Sequence, residues 1–147
     1  MIRTTTVLDI PKILSLVKEF YPQTSYAKWA PFDDESVTNI INTLRTRGIL
    51  LIAQKGDEVV GIVGALGAPF MFNSNFVVGH EVIWFVTPAY RKTSVGIDLL
   101  KRADQLCGLK GWKAFQMVRL EESSPGLDSV FIASGFQPTE HCFTKVY

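Results

Sequence analysis

The amino-acid sequence predicts an α/β fold, a mixed, twisted central sheet with helices on both faces, in the order β-α-α-β-β-β-α-β-α-β. Three observations carry that expectation. Strand-like and helix-like apolar periods alternate along the chain, with no internal repeat or low-complexity segment. Two apolar runs, 49–54 and 58–66, flank Lys55-Gly56-Asp57 and read as an antiparallel hairpin. A strand-like run at 79–86, a helical period over 95–107 and a second strand-like run at 112–119 read as a parallel crossover.

From the N-terminus, residues 2–6 (IRTTT) are short and β-branched, a first strand. Asp9 is placed to cap a helix that tolerates Pro11 in its first turn. Ile13, Leu16, Val17 and Phe20 share one face of it, and Tyr21-Pro22 ends it. Residues 22–32 read as a loop carrying Tyr26, Trp29 and Phe32. Asp33 and Asp34 cap a second helix, with Val37, Ile40, Ile41 and Leu44 at helical spacing and Gly48 as its stop. After the hairpin, Gly67 and Pro69 break the apolar run, so 67–78 reads as a second loop, with Phe70 and Phe72 on it. Val95, Leu99, Ala103 and Leu106 share a helical face, while Asp98 and Arg102 pair on the solvated side. A short helix over 126–134 stops at Gly135, and the alternation of 140–147 predicts a final strand.

Composition bounds the function. A chain of 147 residues is read as one domain, and 47% hydrophobic with 20% charged residues suits a packed core. Fifteen Lys and Arg stand against fourteen Asp and Glu, a formal charge of +1. That balance argues against nucleic acid as a partner. The segment 91–113 nevertheless holds six basic residues and two acidic ones. Cys107 and Cys142 are too few for a disulfide framework, read as small buried hydrophobes, and suit a reducing cytoplasm. His80 and His141 lack ligand spacing, so no metal is expected. The most apolar stretch, Val59 to Phe72, is too short and too glycine-rich to span a membrane, and no signal-peptide pattern opens the chain.

Chemistry concentrates in 87–100, TPAYRKTSVGIDLL. Here a strand gives way, through small residues, to a helix N-terminus. Backbone N–H groups converge there and the helix dipole favours an anion. Thr93, Ser94 and Gly96 leave the backbone approachable, and Arg91 and Lys92 add charge. Neither G-x-x-x-x-G-K-[ST] nor G-x-G-x-x-G occurs. With Val86, Pro88, Tyr90, Arg91 and Gly96, followed by Leu99 and Leu100, the segment resembles motif A of the GNAT superfamily of N-acetyltransferases. The opening IRTTTVLDIPKILSLV, Gly135-Phe136 and the Phe143–Lys145 region extend that resemblance over nearly the whole chain.

The resemblance implies an acetyl-CoA-dependent N-acetyltransferase whose acceptor is an amine on a small molecule or peptide. The strands at 79–86 and 112–119 would splay apart after Phe85-Val86, and the pantetheine arm would lie along the backbone of those two residues. The pyrophosphate would sit on Arg91, Lys92, Thr93, Ser94, Val95 and Gly96. A backbone N–H near Val86 would face the thioester oxygen. Glu81 and His80 are the candidates for general base; alternation puts them on opposite faces unless a bulge intervenes. Two departures stand out. Ser94 occupies the place of a motif glycine, and Phe131 occupies the place of a Tyr that commonly serves as general acid. Phe131 is then expected to pack on the pantetheine arm. The departures leave a non-catalytic acyl-CoA-binding or regulatory domain as the alternative. The aromatics of loops 22–32 and 67–78 would wall the acceptor site or else form a core or homodimer contact.

Overall fold

The computed structural model describes residues 1–147. Five strands form one sheet in sequence order. They are β1 (Ile2–Thr4), β2 (Ile49–Lys55), β3 (Glu58–Phe70), β4 (Asn73–Val86) and β5 (Ala114–Gln116). The first four run antiparallel to their neighbours, and β5 joins β4 in parallel. The helices are α1 (Ile10–Phe20), α2 (Asp34–Arg47), α3 (Val95–Leu109) and α4 (Gly126–Ala133). None is long and apolar enough to cross a membrane.

The two sheet faces bury two separate cores. On one, Ile13 and Leu16 of α1 and Ile41 and Leu44 of α2 pack against Leu50, Ile52, Ile62 and Phe85. On the other, Val95, Leu99, Ala103 and Cys107 of α3 pack against Leu51, Ala53, Val60 and Val63. Adjacent strand residues alternate between the cores, as the pleat requires. Each fully buried Ile or Leu contributes roughly 1.5–3 kcal/mol.

Local chemistry explains the helix boundaries. Asp33 accepts the Ser36 N–H at 2.8 Å and starts α2, and Gly48 follows its last turn. Asp9 does not cap α1 with its side chain. Its carboxylate accepts two hydrogen bonds from Arg3, at 2.8 and 2.7 Å, and the Thr6 N–H at 2.7 Å. It ties β1 to the 3₁₀ turn Val7–Asp9 that leads into α1.

Three sequence expectations are corrected. Residues 67–78 are not a loop: β3 and β4 continue past Gly67 and Gly79 into a long hairpin turning at Met71-Phe72. The strand expected over 112–119 is ordered as β only over Ala114–Gln116. The strand expected over 140–147 does not form, and Phe143 and Tyr147 lie exposed. Alternation permits a strand but supplies no ladder partner.

Candidate functional site

β4 and β5 form a fork. Their parallel pairing covers Val78–Ala114, Gly79–Phe115 and His80–Gln116, then ends. The strands therefore part after His80, not after Phe85-Val86 as the motif implied. At the vertex, Glu81 Oε2 accepts the Val118 N–H at 3.2 Å. This side-chain contact lies outside the backbone ladder and holds the chain after Gln116 near β4 once the pairing has ended.

A bulge lies beside the vertex. Gly64 pairs with Ile83 and Ala65 with Glu81, which leaves Val82 as the extra residue on β4. Below it, the Thr87 N–H donates to the Val60 carbonyl at 2.9 Å and fixes the parity of the ladder. Phe85, paired with Ile62, turns its backbone toward β3. The N–H and C=O groups of Trp84 and Val86 therefore face the open side, toward the gap. Of the two residues expected along the pantetheine arm, only Val86 presents its backbone there. The Phe85 ring is buried against Phe20, centroids 4.8 Å apart.

Glu81 is partly buried, and its carboxyl is pushed up to about 7, because burial penalises the charged form more than the Val118 N–H favours it. His80 is exposed and pairs across the sheet with Leu66, on the α1–α2 face. Glu81 and His80 are thus on opposite faces, with Glu81 bonded into the fork. Cys107 is buried and its thiol is pushed up to about 12 by desolvation and by the charge of Asp104, which makes it a core residue.

Beyond β4, Pro88–Tyr90 make one 3₁₀ turn before α3. Thr93 Oγ1 donates to the Tyr90 carbonyl at 2.6 Å and accepts the Val95 N–H at 3.4 Å. Ser94, at the cap position, makes no side-chain cap bond. The Gly96 and Ile97 N–H groups belong to the first turn of α3, where no intrahelical acceptor exists. A Cβ on Gly96 would meet Val86 and Trp84 only at 3.5 and 3.7 Å, so internal packing does not demand a glycine. Lys92, Thr93 and Ser94 are exposed. The other basic residues of 91–113 spread along α3, whose fifteen residues span about 22 Å, so only Arg91 and Lys92 stand at the turn.

Arg91 is committed elsewhere. Its Nε donates to the Val86 carbonyl at 2.9 Å and its Nη2 to Gln23 Oε1 at 2.7 Å. Two residues on, the Ser25 N–H donates to the Glu122 carboxylate. The segment 21–28, two 3₁₀ turns, is thereby pinned to the β4–α3 turn by Gln23 and to the chain after β5 by Ser25. Neither polar bridge was legible in the sequence, because each joins residues far apart in the chain. Tyr26 and Trp29 pack edge-on at 4.7 Å on this segment, both part-exposed.

The gap itself is lined by rings. Trp84 meets Phe131 at 5.5 Å, Phe131 meets Phe136 at 5.9 Å, and Phe136 meets Phe115 at 5.8 Å. This chain of aromatics joins β4 to β5 through α4. A surface cavity of about 290 Å³ lies elsewhere, between Lys12, Ser15 and Glu19 of α1 and the β2–β3 turn, and touches the site only at Thr87. Phe70 and Phe72 sit at the hairpin tip, eight or more strand residues from Glu81, roughly 25 Å along β4, and do not wall the fork.

No protein-family model and no curated protein matches this sequence. Solved structures do. The chain is similar to a transcriptional regulator from Bacillus halodurans C-125, at 15% identity and a TM-score of 0.79, covering 100% of this chain and 99% of that one. It is similar to a predicted acetyltransferase from Clostridium acetobutylicum solved with acetyl-CoA, at 16% identity and a TM-score of 0.76, covering 99% and 94%. An acetyltransferase from Trypanosoma brucei matches at 21% identity and a TM-score of 0.73, covering 100% and 99%. At these identities the likeness establishes the fold.

Proposed function

We propose that this chain, which has the GNAT acetyltransferase fold, moves an acetyl group from acetyl-CoA to a primary amine on a small molecule or peptide. The observation that carries the reading is the fork: a carboxyl near neutrality at its vertex, and an uncapped helix N-terminus at its open end. Acetyl-CoA would bring a thioester. The N–H groups of Ser94, Gly96 and Ile97 suit its pyrophosphate, and Lys92 adds a mobile charge. The outward N–H and C=O of Trp84 and the N–H of Val86, whose carbonyl already accepts from Arg91, suit a strand-like arm. The ring chain ending at Phe131 gives the gap an apolar wall.

Glu81 then acts as general base. A carboxyl near 7 is about half ionised at neutral pH and takes a proton from the acceptor's ammonium, which frees the nitrogen lone pair that then attacks the thioester carbonyl. Phe131 donates no proton, so the thiol leaves as thiolate, which its ordinary pKa of about 8.5 allows. His80, exposed on the opposite face, is left as a surface residue.

Free-thiol release from acetyl-CoA over a panel of amines, polyamines and peptides tests the reading. Turnover with at least one amine, lost in Glu81→Gln, is expected. Calorimetry that finds no acetyl-CoA binding near millimolar ligand would sink it. A second reading is a regulatory domain that binds acyl-CoA without turning it over. Phe131 at the acid position and the likeness to a transcriptional regulator favour it. It predicts calorimetric binding with no thiol release for any amine.

A further inference from the structure

The tip of the β3–β4 hairpin breaks the rules of its own position. The two turn residues are Met71 and Phe72, where a tight turn favours Gly, Asn or Asp. They are 82% and 79% exposed. Phe70 and Phe76 flank them, and Phe70 packs on both Phe72 and Phe76, at centroid distances of 5.4 and 5.6 Å. These rings form a cluster outside both cores. β2 last pairs with β3 at Ala65, so the tip beyond it is held by β4 alone on that side. A local rule broken without local gain points to a contact made elsewhere.

We infer that the hairpin tip is a docking surface for a second copy of this chain, met across a two-fold axis. Three observations select that occupant. A two-fold contact sets one patch against its own copy, so a net charge on the patch would meet its like. From Val59 to Gly79 the sequence holds no Asp, Glu, Lys or Arg. The net charge of the whole chain is +1, so little long-range repulsion opposes self-association. The exposed parts of Phe70, Met71, Phe72 and Phe76 amount to roughly 400–500 Å² of apolar surface. Two such patches approach the ~1,000 Å² at which specific interfaces begin, so the dimer is a weak one. Pro69, which has no N–H, disfavours extending the sheet across the axis, so side chains make the contact.

Sedimentation equilibrium on the full chain, from about 5 to about 300 μM, tests this across the micromolar affinity range. The wild-type chain is expected to show a concentration-dependent dimer, and Phe72→Asp and Met71→Asp to weaken it at least about tenfold. In a Cys142→Ser background, Met71→Cys is expected to form a disulfide-linked dimer on mild oxidation. Circular dichroism confirms that each variant is folded, and Phe72→Ser replaces Phe72→Asp if the charge disturbs the turn. A wild-type chain that stays monomeric throughout overturns the inference. So does a dimer that Phe72→Asp leaves equally tight, or a monomer that instead binds neutral phosphatidylcholine vesicles through the tip.

Discussion

Gly67 and Gly79 stand opposite each other on β3 and β4, and the indole of Trp112 covers both. A Cβ on Gly67 would lie 2.6 Å from the ring, and one on Gly79 2.5 Å from it. The ring has little freedom to retreat. The Trp112 backbone N–H donates to the Cys107 carbonyl at 3.0 Å, which fixes the main chain that carries the ring, and Lys110 lies over the ring at 5.8 Å. Gly79→Ala is therefore expected to destabilise the fold by about 1–3 kcal/mol, an overpacking cost. Urea denaturation reads it. A Gly79→Ala midpoint equal to wild type would mean that the indole moves freely and that its packing does not demand a glycine there.

That pair also shows what the sequence can and cannot say. Gly67, Pro69 and Gly79 look like chain breaks when only neighbours are considered, so 67–78 reads as a loop. In the fold the two glycines make room for a residue more than thirty positions later, and no local period encodes that. The helices were legible, because Asp33, Gly48 and the spacing from Val37 to Leu44 are local signals. The turn from Arg91 into the helix that starts at Val95 was legible for the same reason. Its side-chain commitments were not: Arg91 to Gln23 and Glu81 to Val118 are tertiary pairs. The missing final strand is the converse case, since 140–147 carries the alternation but finds no edge to pair with.

Glu81 yields two pH predictions of linked origin. As general base it must be ionised, so turnover is expected to rise through about pH 7, and the rise to vanish in Glu81→Gln. For stability, the folded carboxyl holds its proton more tightly than the unfolded one. Folding is thus fully favoured below the unfolded value of 4.5 and loses stability as pH climbs to about 7. Glu81→Gln still accepts the Val118 N–H and has no charge to bury. It is expected to be more stable than wild type at pH 8, by about 2–3 kcal/mol, and about equal at pH 4. Thermal unfolding at the two pH values checks this; a variant less stable at pH 8 would contradict the buried-carboxyl account.

Asp9 behaves in the opposite sense. Its hydrogen bonds from Arg3, and then from Thr6, outweigh burial and hold its carboxyl well below the usual carboxylate range. The stability it confers is present above the unfolded value of 3.8 and drains away as pH falls below it. Asp9→Asn is expected to cost about 2 kcal/mol at pH 7, the worth of losing charge-assisted bonds to a part-exposed Arg3. The gap between variant and wild type should shrink on acidification below pH 4. A gap independent of pH would assign the loss to packing instead.

Phe131 faces Trp84 and Phe136, and no hydroxyl stands beside it on Val130 or Ile132. If the thiolate leaves unaided, Phe131→Tyr should change the thiol-release rate less than about threefold, far below the 10²–10⁴-fold worth of a general acid. A gain of a hundredfold would show that proton donation limits the wild-type reaction.

Gly96 separates a structural demand from a ligand's demand. Its φ is not positive, and a methyl group there would make only ordinary contacts with Val86 and Trp84. It lies in the first turn of α3, where replacing glycine with alanine reduces the freedom of the unfolded chain. Gly96→Ala is therefore expected to leave the fold as stable as wild type, or more stable by up to about 1 kcal/mol. If the uncapped N–H groups of this turn hold a pyrophosphate, the same methyl group intrudes on the anion. Affinity for acetyl-CoA should then fall at least about tenfold, equivalent to 1.4 kcal/mol. Thermal unfolding without ligand and calorimetry with acetyl-CoA give the two readings on one preparation. Unchanged affinity with unchanged stability would move the anion away from this turn and leave Gly96 without a role in binding.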